Sequence, residues 1–158
     1  ELIISKGKSI KLVDAKKLLD LLMKNYRRPV VSRTLNIKCA DLTLALKQIS
    51  ANARRKNLLF AWENPARYTV MPSDQSAMKI YAESIDELLE GVDFTETSRF
   101  PDLKLLETDE PTIYFDRRKD GDAFLLPPLQ TYLLLATEGK REKEAAYFMI
   151  NRLVDFKY

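Results

Sequence analysis

Histidine is absent from the chain. That removes the commonest metal ligand and the usual general base at neutral pH, so metal-assisted or acid–base catalysis starts at a disadvantage, and no cofactor or metal is expected. Cysteine occurs once, at Cys39, so no internal disulfide can form, which fits a reducing compartment. Only 4 glycines and 7 prolines accompany a charged fraction of 31%, a composition unlike collagen-like or low-complexity chains. Apolar runs such as 133–136 and 147–150 fall far short of the roughly 20 residues a membrane span needs. The first residues, Glu1-Leu2-Ile3-Ile4, carry no basic segment, long apolar stretch or small-residue cleavage site, so no secretory signal is expected and the cytoplasm is the expected location. They also lack an initiating Met, from which loss of an upstream portion is expected.

What is present suits a folded domain. With 158 residues and a hydrophobic fraction of 46%, the chain can bury a core as a single domain over 1–158. A net charge of +3 is well below the concentrated basicity of a dedicated nucleic-acid module.

Apolar periodicity places the elements. Ala15, Leu18, Leu19, Leu22 and Tyr26 recur at helical spacing over 14–28, with Asp14 as N-cap and Pro29 as the terminator. Leu42, Ala45, Leu46, Ile49 and Ala53 predict a second helix over 41–55. Strands are expected at 58–62, 77–82, 93–97, 103–108 and 111–115, with a charged loop over 117–122. Ser84-Ile85-Asp86-Glu87 reads as a capping box for a short helix over 85–90 that stops at Gly91. Pro128 opens a helix with Leu129, Tyr132, Leu133 and Ala136 on its stripe, Gly139 ends it, and a last helix runs over 141–154. The fold class is therefore α/β: a central mixed sheet flanked by helices, ending in an antiparallel helical hairpin.

No catalytic constellation stands out. Asp120-Gly121-Asp122 lacks the glycine-rich turn that cradles phosphate and reads as an ordinary turn. A divergent metal-dependent nuclease using Asp102, Asp109 or Asp116 is a remote alternative, because Arg118 stands where an acid-x-Lys pattern needs its lysine. Cys39 has no histidine to activate it and reads as a small packing residue. Trp62-Glu63-Asn64-Pro65 either marks a binding edge or ends a core strand. The candidate contacts to nucleic acid or a partner are the basic residues Arg27, Arg28 and Arg33, then Arg54, Arg55 and Lys56, then Arg117, Arg118 and Lys119, then Lys140 and Arg141. Acids interleave with the last two groups, and whether the groups share a face is open.

Residues 125–133, Leu-Leu-Pro-Pro-Leu-Gln-Thr-Tyr-Leu, followed by 138–146, Glu-Gly-Lys-Arg-Glu-Lys-Glu-Ala-Ala, resemble the C-terminal signature of the AbiEi-type antitoxin family. Residues 15–20 leading to Asn25-Tyr26-Arg27-Arg28 look like the family's early helix, and 59–61 with 79–81 like its central strands. The most specific positions are Pro128, Gln130, Tyr132, Gly139, Glu144, Ala145 and Ala146; Leu134 stands where relatives usually carry an acid, and Glu63-Asn64 where they carry a glycine-containing turn. The resemblance implies a non-catalytic antitoxin or transcriptional-regulator domain of a type IV toxin–antitoxin system. Its implied partner is a nucleotidyltransferase-type toxin, and its DNA binding would reside in an upstream winged helix of the full-length protein. Direct nucleic-acid binding through the basic groups is the alternative.

Overall fold

The computed structural model describes residues 3–69 and 77–154. Its first element, an antiparallel hairpin of β1 (Ile3–Lys6) and β2 (Ser9–Leu12), was not expected from the apolar pattern. Helix α1 (Ala15–Asn25) begins where Asp14 Oδ1 accepts the Lys17 amide at 2.9 Å. It ends earlier than the pattern suggests, because Tyr26 is already extended. Strand β3 (Arg33–Cys39), also missed, buries Leu35 and Ile37 on alternate positions. Helix α2 (Leu42–Lys56) is capped by Asp41, which accepts the Leu44 amide at 2.9 Å, and is closed by Asn57 in the left-handed region at φ 54.

Strand β4 (Phe60–Glu63), a 3₁₀ turn at Pro65–Arg67, strand β5 (Met78–Ala82) and helix α3 (Ile85–Leu88) follow. Ser84 accepts the Glu87 amide as expected. Strands β6 (Phe94–Glu96) and β7 (Leu103–Glu107) fall where the pattern puts them.

Several expectations need correction. Residues 111–115 form not a strand but helix α4 (Pro111–Tyr114), with Pro111 in the first turn, where its missing N–H costs nothing. The Phe115 amide donates to the Pro111 carbonyl at 3.0 Å, the bond of a helical turn, and Ile113 and Tyr114 are both buried. The charged segment 117–122 is not a loop; it is largely β8 (Arg118–Asp120), hairpin-paired to β9 (Ala123–Leu125) through Gly121 at φ 60. Its charges suit a short edge strand, which must resist pairing with other chains.

Helices α5 (Pro128–Ala136) and α6 (Lys140–Val154) pack on each other as a hairpin. Gly139 does not stop α5, which is capped at Thr137; its carbonyl accepts the Lys143 amide at 3.1 Å and so starts α6. Nor is α5 amphipathic: Tyr132, Leu133, Leu134 and Leu135 are all buried, while Leu129 is exposed.

The seven strands order β6-β3-β7-β5-β4-β9-β8, antiparallel except for the β5–β7 and β4–β9 pairs. One face sends Ile37, Phe60, Ile80, Ala82, Leu103 and Leu105 into a core with Ile49 and Ala53 of α2 and Ile85 and Leu88 of α3. The opposite face sends Ala61, Tyr81 and Leu106 against Ile113, Tyr114, Leu126 and Leu134. A third cluster joins α1 to α5 and α6 through Leu19, Tyr132, Ala145 and Met149.

Candidate functional site

Where β4 ends and β5 begins, the sheet opens into a cleft of about 730 Å³. Helix α2 forms one wall with Leu46, Lys47 and Ser50, and the β8–β9 hairpin another with Asp120, Asp122 and Ala123. Trp62, Glu63, Met78 and Lys79 come from the strands, and Glu138 and Glu142 from the α5–α6 connection and the first turn of α6. Volume and a mixture of apolar wall with convergent polar groups are what a binding site offers.

Charges at this end of the sheet are wired in series. Lys79 Nζ donates to Glu63 Oε1 at 3.2 Å and to Glu138 Oε1 at 3.0 Å. Arg28 Nη2 donates to the same Glu138 oxygen at 2.8 Å, and its Nη1 donates to the carbonyl of Leu134 at 3.1 Å. The Tyr81 hydroxyl donates to Glu63 Oε2 at 3.3 Å. Glu63 is only 6% exposed, and burial pushes its carboxyl above the ordinary range although the Lys79 charge pulls the other way. Burial also pushes Glu138 upward, but Lys79 and Arg28 outweigh it and hold that carboxyl below the ordinary range. For Lys79 burial works against the ammonium, and Glu63 and Glu138 overcome it to raise the pKa. The Tyr81 phenol is raised by burial and by Glu63.

This network joins segments remote in sequence. Arg28 follows α1, Glu138 lies between α5 and α6, and Lys79 and Glu63 are on adjacent strands. Gln130 Nε2 donates to the Tyr26 hydroxyl at 2.7 Å, a second bond between the early segment and the C-terminal helical hairpin. Beside the network, the Trp62 indole N–H is buried with no acceptor among the described residues.

The basic candidates do not share one face. Arg28 belongs to the network, with Arg27, Lys140 and Arg141 exposed near the same connection. Arg54 pairs with Asp122 of the β8–β9 turn at 2.7 Å and Arg67 with Asp120 at 3.3 Å, which brings the end of α2 to the hairpin holding Arg117, Arg118 and Lys119. Arg117 is turned inward, donating to the Phe60 carbonyl at 3.0 Å with its guanidinium 4.2 Å from the Phe124 ring centroid. Arg118 lies 4.0 Å from Asp116, and Lys119 is exposed. Arg55 and Lys56 both pair with Glu90. Arg33 pairs with Asp86 at 2.7 Å on β3, five places from β8 in the sheet order.

The acids considered for a nuclease are dispersed. Asp102 lies at the start of β7, bonded to Lys38 Nζ at 2.8 Å and the Cys39 amide at 2.9 Å. Asp109 lies beyond the other end of that strand, roughly 20 Å away at strand rise, and Asp116 precedes β8. No group of three His, Cys, Asp or Glu residues suited to a metal occurs among the described residues. Cys39 closes β3 half-buried, its thiol pKa raised by burial and by Asp102.

Sequence reasoning singled out Trp62 and Glu63 but not Lys79 or Glu138 as site residues. Their signal was indirect: Lys79 and Glu138 both fall inside segments that carry the family resemblance. No family model, curated protein or solved structure matches the chain. No helix among the described residues is long and apolar enough to cross a membrane.

Proposed function

We propose that the chain is a non-catalytic, antitoxin-like regulatory domain of the cytoplasm that binds a partner protein at the cleft, the partner implied by the resemblance being a nucleotidyltransferase-type toxin. The observation that carries this reading is the closure of the charge network. A buried carboxyl of raised pKa in a cleft is the usual profile of a general acid. Here each Glu63 oxygen already accepts a hydrogen bond, from Lys79 and from Tyr81. Glu63 is held between these two partners and so supports the floor of a binding surface. The test is growth rescue: co-expression of the full-length protein restores growth of cells making the cognate toxin, and failure to restore it sinks the reading.

One observation favours a second reading. Arg54, Arg67, Arg118 and Lys119 gather around the β8–β9 edge, which suits phosphate contacts of a nucleic-acid-binding regulator. Its mark is duplex binding that weakens steeply with salt; undetectable binding at low salt removes it.

A further inference from the structure

We infer that the β1–β2 hairpin and the outer side of α1 form a second surface, apart from the cleft and independent of the antitoxin reading, that binds the phosphate backbone of a nucleic-acid duplex.

The whole-chain charge of +3 conceals a division. Residues 1–28 hold 8 of the 26 basic residues and 3 of the 23 acids, so they carry +5 while the other 130 residues carry −2. Segregation of this kind attracts polyanions. The fold leaves these charges open. Lys8 in the hairpin turn, Lys11 on β2, Lys16, Lys17 and Lys24 on α1 and Arg27 just beyond it are all exposed. None of the six pairs with an acid among the described residues, whereas Arg33, Arg54, Arg55, Lys56 and Arg118 each do. None lines the cleft.

Folding does not call for these cations. Lys16 and Lys17 occupy the first turn of α1, which holds no acid, although the partial positive charge of a helix start favours carboxylates there. At about 100° per residue, Lys16, Lys17 and Lys24 fall on one side of the helix, away from the side that packs Leu19 and Met23 against α5 and α6. Asp20 lies among them as the helix's single acid, so that side keeps a positive excess.

The surroundings select what meets the charge. The chain's first aromatic residue is Tyr26, which is bonded to Gln130, so the surface offers bases nothing to stack on, as a single strand would require. Leu19 and Met23 are committed to the C-terminal helices and cannot enter a bilayer. Ammonium groups with open donors suit phosphates repeated along a duplex, contacts that position a protein without reading sequence.

The test is fluorescence anisotropy of a short labelled DNA duplex of mixed sequence, titrated with the intact protein over a range of salt. Binding should saturate at low salt and weaken steeply as salt rises. K16E/K17E should bind at least tenfold more weakly at a melting temperature equal to or above the parent's, because it puts acids where the helix start prefers them. K8Q/K11Q should flatten the salt dependence by about 2 in log K against log salt. R54Q/K119Q, at the β8–β9 edge, should bind as the parent does. Absence of binding at low salt, undiminished binding by both the helix and the hairpin variants, or loss confined to R54Q/K119Q overturns the inference. Tighter binding of the corresponding single strand, displacement of the duplex by polyglutamate as readily as by unlabelled duplex, or capture by phosphatidylserine vesicles at salt that releases the duplex overturns the assignment to duplex phosphates.

Discussion

On the face covered by α2 and α3, strands β5 and β7 bury Ile80, Ala82, Leu103 and Leu105 with no exposure at all and no charge among them. On the other face the same β5 sends in Lys79 and Tyr81, and β4 sends in Glu63 beside Ala61, so part of the burial is ionic. The first face is held by dispersion and exclusion of water, which tolerate volume-conserving exchange. The second is held by partners that must all be present, because a buried charge that loses its counterpart is costly. Apolar packing makes the sheet; the charged face fixes where Arg28 and the α5–α6 connection sit against it, and so shapes the cleft.

The largest effect should come from the apolar face. Leu105→Ala is expected to lose about 2–5 kcal/mol of stability by urea unfolding, with cleft binding retained in the molecules that fold. Next comes Lys79→Met, expected to cost about 3 kcal/mol by leaving Glu63 buried without its cation. Adding Glu63→Leu should recover part of that loss; a double variant less stable than Lys79→Met would show that the ionic face is not paired as described.

The third contrast is in pH. Glu63 titrates above its ordinary value of 4.5 in the folded chain, so the folded state holds that proton more tightly than the unfolded state. Its contribution is fully present below that ordinary value and is lost as pH rises through the raised one. Glu138, lowered by Lys79 and Arg28, contributes in the opposite sense, above the ordinary value and lost as pH falls. Glu63→Gln should therefore remove a decline of stability with rising pH, and Glu138→Gln a decline on acidification, both read from urea midpoints across pH 3 to 7. Asp41→Ala, which removes the α2 cap, should cost about 1 kcal/mol. Arg54→Ala, at an exposed pair, should cost no more than about 0.5 kcal/mol in the same assay.

Elements with one strong local cause were legible in the sequence. Asp14 caps α1 and Ser84 caps α3, because a side-chain oxygen three residues before a free amide acts locally. What was missed depends on tertiary partners. The strand β3 reads Arg-Thr-Leu-Asn-Ile-Lys-Cys, too polar to announce itself until β6 and β7 flank it. Helix α4 resembles a strand in composition, and the bond from the Phe115 amide to the Pro111 carbonyl decides against it. At the site, Trp62-Glu63 was visible as an ambiguous edge. Lys79 and Glu138 were not, because an ion pair spanning 59 residues leaves no local spacing to read. The basic groups were legible as clusters, but their partners Glu90, Asp86 and Asp122 come from distant segments.

The most direct measurement is growth rescue of the cognate toxin by the full-length protein and by its Ala123→Arg variant, at matched expression and matched melting temperature. The account predicts rescue by the first and none by the second, because the variant fills the cleft while leaving the fold intact. Equal rescue by both would contradict it, and would move the partner surface away from the cleft.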